Sequence, residues 1–221
     1  MEDIKAGLKN KNSYTFDDLC DIMALLRSPQ GCVWDREQDH KSIRKNFIEE
    51  AYEVCEAIDE ENAVHLCEEL GDVMLQVVFH TQMEKEKGSF DINDVVSGIC
   101  KKLIFRHPHV FGELSINTPE GVSDNWDAIK KIEKGQKNVG DVLESVPKTL
   151  PSLMRAQKIN KKAEKNGLVL CEDDAGLDAL DKAEYAEILM KICKSANKKG
   201  IDLEELLEQK CTDEIKNIKK I

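Results

Sequence analysis

The stretch from Glu49 to Asp72 contains ten carboxylates and neither lysine nor arginine. The formal net charge of the whole chain is −11, so this stretch could account for nearly all of it. Such a density of negative charge destabilises a folded chain through self-repulsion unless a cation offsets it. The chemistry that this composition suits is the binding of a hard metal ion, Mg²⁺ or Mn²⁺, through carboxylate oxygens.

The spacing of four of these carboxylates is symmetrical. Glu50 and Glu53 are three residues apart, and so are Glu69 and Asp72. Side chains at this spacing share one face of a helix. Both pairs are centred on the polar sequence DEEN (59–62), which suits a turn. An antiparallel hairpin of two helices that turns there would bring all four carboxylates to one patch.

Two helices must position these carboxylates, and we expect them at about residues 39–58 and 63–86. Apolar residues recur at helical spacing in both, which indicates a packed hairpin. They are Phe47, Ala51, Val54, Cys55, Ile58, Leu66, Leu70, Val73, Val77 and Val78. An acidic run is nevertheless more often a solvated helix face than a metal site. The spacing alone leaves both interpretations open.

The composition of the 221 residues predicts an all-α fold. Hydrophobic residues make up 41%, charged residues 34% and aromatic residues 5%, a balance typical of helical proteins. We expect a helical bundle built on the acidic hairpin and followed by a C-terminal helical segment. Helical periodicity lapses around GQKNVGD (135–141), where we expect a linker. The predicted domains are therefore residues 1–138 and 139–221.

Cysteine usage and charge bear on the compartment and on partners. The eight cysteines form no CxxC pair, and no apolar run approaches the ~18 residues of a membrane span. The N-terminal sequence MEDIKAG has no apolar signal region. We therefore expect a reduced, cytoplasmic protein without a membrane partner. The acidic balance also argues against stable nucleic-acid binding.

Several motifs occur in an order that resembles a known family. EExxE is met at Glu49, Glu50 and Glu53, and ExxD at Glu69 and Asp72. The other motifs are GCVWDREQ (31–38), VVFHTQ (77–82), FDINDV (90–95), RHPHVFG (106–112) and VPKTLPSLMRAQKI (146–159). Together they closely resemble the MazG family of nucleoside triphosphate pyrophosphohydrolases, within the all-α NTP pyrophosphatase superfamily.

The resemblance implies an enzyme that hydrolyses an NTP or dNTP to the nucleoside monophosphate and pyrophosphate. Such an activity would clean the nucleotide pool, and the family implies a homodimer or a higher homo-oligomer. The implied metal ligands, for Mg²⁺ or Mn²⁺, are Glu50, Glu53, Glu69 and Asp72. Glu49 would act beside the catalytic residues Glu50 and Glu53, either as a ligand of a second metal or by orienting the attacking water.

The resemblance also implies cationic and aromatic groups that bind the substrate. Lys102 and Arg106 are four residues apart, so they share a helix face, and Lys130 lies four residues after Trp126. The two lysines and the arginine would hold the phosphates, and Trp126 would lie near the nucleotide. A solvated surface lysine and a tryptophan in the core remain open interpretations of these residues.

The C-terminal segment resembles a truncated second repeat. ALDKAEYAEILMKI (179–192) places Glu184 and Glu187 at the ExxD positions, but no EExxE helix precedes it. We therefore expect a structural segment without a second active site. The alternative function for the whole chain is a non-catalytic helical module that binds a partner or a nucleotide through the acidic hairpin.

Overall fold

A computed structural model of the protein describes residues 2–172 and 175–219. The regular secondary structure of these residues is entirely α-helical, which confirms the predicted all-α class. The chain divides into two compact units, Met1–Glu113 and Leu114–Ile221. The domain boundary expected after residue 138 falls inside the second unit, where a helix begins.

The first unit contains the acidic hairpin and the helices around it. Its helices within the described residues are α1 (Glu2–Lys9), α2 (Phe16–Leu26), α3 (Val33–Glu37), α4 (Arg44–Asp59), α5 (Ala63–Lys87), α6 (Ile92–Arg106) and α7 (Pro108–Phe111). The core between α2 and α5 includes Met23, Val78, Phe79 and Met83, together with Ile43 just before α4. This core holds α5 in place, and α4 packs along α5 as its antiparallel neighbour.

The hairpin turns where the sequence predicts. Helix α4 ends at Asp59 and α5 begins at Ala63. Between them Glu61 has a φ of 53°, in the left-handed region that allows a tight reversal. The Asn62 side chain caps α5, because its oxygen accepts hydrogen bonds from the backbone nitrogens of Val64 and His65, each at 3.2 Å.

The first arm of the hairpin begins later than predicted. Helix α4 starts at Arg44, not near residue 39. The reason is local, because the Asp39 carboxylate accepts hydrogen bonds from the backbone nitrogens of Lys41 and Ser42, each at 2.8 Å. A side chain bonded to the backbone in this way competes with helix formation.

One arginine fastens the segment GCVWDREQ (31–38) to the hairpin. The Arg27 guanidinium donates two hydrogen bonds of 2.9 Å to the Glu86 carboxylate on α5 and lies 5.4 Å from the centre of the Phe79 ring. It also donates to the backbone carbonyls of Asp35 and Gln38. This segment therefore supports the hairpin through backbone contacts.

The apolar face of α6 is exposed, whereas an amphipathic helix ordinarily packs such a face into the core. The side chains on this face are between 37% and 46% exposed; they are Val95, Val96, Ile99 and Leu103. Among the described residues of the first unit, α6 packs on α5 and α7, and these helices leave the face uncovered. The sequence pattern identifies the face correctly but does not reveal what covers it.

The second unit has its own core. Its helices within the described residues are α8 (Pro119–Glu133), α9 (Val139–Glu144), α10 (Ser152–Glu164), α11 (Ala175–Asp178), α12 (Lys182–Lys198) and α13 (Leu203–Ile218). Helices α9, α10 and α13 share the core residues Leu143, Val146, Ile159, Ala163, Cys211 and Ile215. The linker expected at residues 135–141 is wrong in its second half, because α9 begins there and carries Val142 and Leu143 into the core.

A buried arginine ties α10 to α13 within this unit. The Arg155 side chain is 1% exposed and donates hydrogen bonds to Glu208 Oε1 at 3.1 Å and Thr212 Oγ1 at 3.0 Å.

In residues 2–172 and 175–219, no helix is both long enough and apolar enough to cross a membrane. All eight cysteines are free thiols.

Candidate active site

Three carboxylates of the hairpin converge on one point. One oxygen each from Glu50 on α4 and from Glu69 and Asp72 on α5 lie within 4.8 Å of one another. Within the described residues this is the single group of carboxylate, histidine or cysteine side chains with the spacing of a metal site. The predicted pairing of residue 50 with residue 72 across the hairpin is therefore present in the structure.

The burial of Glu69 distinguishes this cluster from a solvated acidic face. Glu69 is only 8% exposed, and its Oε2 is buried without a hydrogen-bond partner in the described residues. Its Oε1 lies 3.3 Å from His65 Nε2. A buried carboxylate oxygen without a partner is costly. A divalent cation among these oxygens would remove that cost, so the donor set fits Mg²⁺ or Mn²⁺.

The electrostatics of the cluster also reflect crowding of like charges. Burial raises the pKa of Glu50, and a hydrogen bond with the Glu53 side chain and the charge of Asp72 raise it further. Burial likewise raises the pKa of Glu69, with the charge of Glu53 as the next cause. Glu53 therefore acts on both neighbours, although it lies outside the tightest group of ligand atoms. The tight group contains three of the four predicted ligands, and the role of Glu53 as the fourth stays a prediction.

Glu49 and Glu53 are the exposed carboxylates of the EExxE and ExxD motifs. Both lie on α4, with Glu49 directly before Glu50 and Glu53 one turn after it. Exposed carboxylates at the edge of a metal site can accept hydrogen bonds from a water molecule. The assignment of Glu49 to this task, and of Glu53 to metal binding, stays a prediction.

Gln76 is a site residue that sequence analysis did not identify. It lies on α5 one turn after Asp72, is buried, and donates from Nε2 to Glu50 Oε1 at 3.5 Å. Its own Oε1 is buried without a hydrogen-bond partner among the described residues. The signal in the sequence was the spacing of four residues from Asp72, which places Gln76 on the same face.

A histidine pair continues this face toward the end of α5. Nδ1 of His80 lies 2.7 Å from Nδ1 of His40, and His40 Nε2 lies 2.6 Å from Glu84 Oε1. Burial, and then the charge of His40, lowers the pKa of His80. The Phe47 ring lies on His80, at 5.9 Å between ring centres. The loop before α4 is thereby held to α5 next to the carboxylate cluster.

The two predicted phosphate-binding residues of α6 differ in exposure. Lys102 is exposed, whereas Arg106, at the last position of the helix, is 8% exposed. Whether either residue binds phosphate stays a prediction.

Trp126 and Lys130 lie on α8 in the second unit, where both are half-buried. Their spacing of one turn is as predicted. Lys130 lines a cavity together with other lysines of this unit. Their roles at the nucleotide rest on the resemblance and stay predictions.

The acidic pair of the expected second repeat has local structural partners. Glu184 lies in the first turn of α12, and its carboxylate accepts a hydrogen bond from the Asp181 backbone nitrogen at 2.8 Å. Glu187 pairs with Lys191 at 3.2 Å. These contacts support the interpretation of α12 as a structural helix.

Comparison with known proteins agrees with the geometry. The family model for the MazG nucleotide pyrophosphohydrolase domain matches residues 38–111, which include all the clustered carboxylates and α6. The chain belongs to the MazG nucleotide pyrophosphohydrolase family. Trp126 and Lys130 lie outside the matched residues.

Three relatives illustrate the extent of the similarity. The chain is 47% identical over 152 residues to the nucleoside triphosphate pyrophosphohydrolase/pyrophosphatase MazG of Thermotoga maritima. The aligned residues make up 69% of this chain and 58% of that protein. It is 46% identical over 147 residues to the nucleoside triphosphate pyrophosphohydrolase of Escherichia coli K12, covering 66% of this chain and 56% of the relative. An uncharacterized 26.1 kDa protein of Streptomyces cacaoi is 32% identical over 192 residues, 86% of this chain and 75% of its own length. The chain thus spans little more than half the length of the first two relatives.

Proposed function

We propose that this protein hydrolyses nucleoside triphosphates, including dNTPs, to the nucleoside monophosphate and pyrophosphate in a metal-dependent reaction. The observation that carries the proposal is the convergence of Glu50, Glu69 and Asp72 within 4.8 Å, with a buried Glu69 oxygen that lacks a hydrogen-bond partner in the described residues. Membership of the MazG family, and the names of the relatives from Thermotoga maritima and Escherichia coli, support the reaction type.

The proposed cofactor is Mg²⁺, with Mn²⁺ as a substitute, held by Glu50, Glu53, Glu69 and Asp72. Such an ion would offset the negative charge of the carboxylates and of the substrate phosphates, and would make a water molecule more acidic. Hard carboxylate oxygens on two rigid helices suit this task. Gln76 would keep Glu50 in the orientation that the site needs, through the hydrogen bond from α5.

The remaining residues would bind and orient the reactants. Glu49, exposed at the edge of the cluster, would accept a hydrogen bond from the attacking water and so orient it. Lys102, exposed on α6, would bind the phosphate chain as a point charge. Positive charge from Lys102 and from the metal ion is needed because the acidic hairpin otherwise repels a triphosphate.

We further propose that the protein acts as a homodimer or a higher homo-oligomer. The support is the large number of exposed apolar side chains on α4 and α6, for example Tyr52, Ile99 and Phe105 at 62%, 46% and 54% exposure. Exposed apolar side chains that form a contiguous patch typically mark an interaction site. Light scattering after size exclusion tests the oligomeric state directly.

Free thiols suit a reducing compartment, which supports a cytoplasmic location.

Product analysis tests the proposed reaction. Each NTP and dNTP is incubated with the protein and Mg²⁺, and the products are followed by phosphorus NMR. We expect the monophosphate and pyrophosphate as first products, and no turnover in excess EDTA. First products of diphosphate and orthophosphate would contradict the proposal. Absence of turnover with both Mg²⁺ and Mn²⁺ would favour the non-catalytic helical module instead.

A further inference from the structure

A cavity in the second unit gathers four lysines. Its volume is about 280 Å³, and its walls come from α8, α9, α10 and residues that follow α8 and α10. The charged side chains that line it are Lys130, Lys131, Lys162, Lys165, Asp124 and Asp127. Lysines therefore outnumber carboxylates in a concave surface, although the chain as a whole carries a net charge of −11.

The two aspartates face one of these lysines. Lys165 Nζ lies 2.7 Å from Asp127 Oδ2 and 3.9 Å from Asp124 Oδ1. Lys131 Nζ donates to the Asn166 side-chain oxygen at 2.6 Å, and this oxygen carries no net charge. The positive charge of Lys131 is therefore not neutralised by that contact. Both aspartates therefore pair with the same lysine, Lys165.

Lys162 lines the same cavity as the other lysines. It is half-buried on α10, and its ammonium makes no hydrogen bond or ion pair with the residues that the structure describes. Burial lowers the pKa of Lys162, and the charges of Lys130, Lys134 and Lys131 lower it further, while Asp127 offsets only part of this effect. An ammonium that is crowded by like charges and partly withdrawn from water is stabilised most by an anion.

We propose that this cavity is a binding site for a phosphate-bearing anion, with Lys162 and Lys131 as its main contacts. Lysine is a common phosphate ligand, since its ammonium acts as a compact charge with three donors. Pyrophosphate and the phosphate chain of a nucleotide share the required chemistry. Lys130, which lines the same cavity, is among the residues that the family resemblance assigns to the substrate, whereas Lys131, Lys162 and Lys165 are not. The proposal thus rests in part on the proposed function and extends phosphate binding to three further lysines.

The matched variants for the test lie on one helix. Lys162→Gln removes the central charge, and Lys161→Gln removes an exposed charge on the same helix that does not line the cavity. Because Lys162 is crowded by lysines, its replacement relieves repulsion and is expected to leave the melting temperature unchanged or higher. Lys131→Gln is a second variant on α8, should Lys162→Gln fold poorly.

Titration calorimetry of the full chain in excess EDTA measures binding without turnover. Inorganic pyrophosphate, orthophosphate and ATP are titrated separately, with the monophosphate as a nucleotide that lacks the phosphate chain. We expect saturable binding of pyrophosphate or ATP that weakens with salt. Lys162→Gln or Lys131→Gln should weaken it about tenfold or more, as expected for the loss of one hydrogen bond to a charged group.

The separate titrations and the Lys161→Gln control distinguish the possible ligands of the cavity. Binding of both pyrophosphate and ATP supports a site for any phosphate chain, and binding of ATP alone supports a nucleotide ligand. Binding of neither, or equal affinities of the Lys162→Gln, Lys131→Gln and Lys161→Gln variants, would overturn the proposal. Since no metal and no turnover are involved, this result is independent of the proposed hydrolysis.

Discussion

Gln76 on α5 donates its side-chain amide to Oε1 of Glu50 on α4, across 3.5 Å. This hydrogen bond joins the two arms of the hairpin one turn beyond Asp72. Through this contact Gln76, which lies outside the tight carboxylate group, can orient Glu50, which belongs to it.

We predict that Gln76→Met, which keeps the side-chain volume and removes the amide, weakens activation by Mg²⁺ about 10- to 100-fold. The measurement is the Mg²⁺ concentration needed for half-maximal turnover. A merely structural role would lower the melting temperature and leave this concentration unchanged. That pattern would contradict the positioning role of Gln76.

We predict that Glu53→Gln and Asp72→Asn each lower the rate at least about 100-fold, because each removes a negative charge from the proposed metal site. The matched control is Glu56→Gln, an exposed carboxylate one turn farther along α4 that is not among the predicted metal ligands. In the wild type and the control, Mg²⁺ should raise the melting temperature. Near-normal rates in both active-site variants would remove these carboxylates from the mechanism.

We predict that Lys102→Ala lowers kcat/KM about tenfold or more with little change in melting temperature, because Lys102 is exposed on α6. Lys101→Ala, at the neighbouring exposed position, is the control. Arg106→Ala should in addition lower the melting temperature, because Arg106 is only 8% exposed. Equal kinetics for Lys102→Ala, Lys101→Ala and the wild type would identify Lys102 as a surface charge only.

The stability of the first unit should depend on Glu84 in a defined pH range. Hydrogen bonds from Lys87, His40 and Ser89 lower the pKa of Glu84 from 4.5 to about 2. A carboxylate whose pKa is lowered by folding stabilises the folded state above the unfolded value, and this stabilisation is lost as the pH falls through the folded value. The full contribution is therefore present above pH 4.5 and disappears toward pH 2.

We expect Glu84→Gln to melt below the wild type at neutral pH, with the difference shrinking as the pH falls below 4.5. Melting followed by circular dichroism over this range checks the prediction. Glu37→Gln, at an exposed position of α3, serves as the control. A difference that stays constant across the range would show that the charge of Glu84 contributes nothing.

We predict that the double variant Glu184→Gln with Glu187→Gln leaves turnover unchanged. Glu184 caps the first turn of α12 and Glu187 pairs with Lys191, so both have structural partners. The same kinetic assay as for Glu53→Gln checks this. A loss of rate as large as that of Glu53→Gln, with fold and oligomeric state intact, would reveal a second active site.

The parts of the structure that were predictable from the sequence are those determined by local spacing. The hairpin followed from two carboxylate pairs at i and i+3 and from a polar turn between them, and Glu50 does lie beside Asp72. Sequence analysis did not identify Gln76 and His80 because each is a single polar residue beside apolar residues of α5. Extending the spacing of four from Asp72 through 76, 80 and 84 would have found them.

The exposed face of α6 and the position of the unit boundary were not predictable in this way. An amphipathic pattern shows that Ile99 and Leu103 share a face, but the partner of that face depends on distant residues. Similarly, the glycines around 135–141 suggest a linker, whereas the packing of Leu143 against Ile159 depends on α10. The lysine cavity also arises from residues that are more than thirty positions apart in the chain.

The symmetry of the hairpin limits which insertions and deletions the protein can accept. Glu50 and Asp72 each lie eleven residues from Glu61 at the turn. A residue added within either helix between turn and cluster would rotate that helix by about 100° beyond the point of insertion. It would carry one pair of carboxylates away from the other. Changes in hairpin length therefore preserve the cluster only when both arms change together, by nearly whole helical turns.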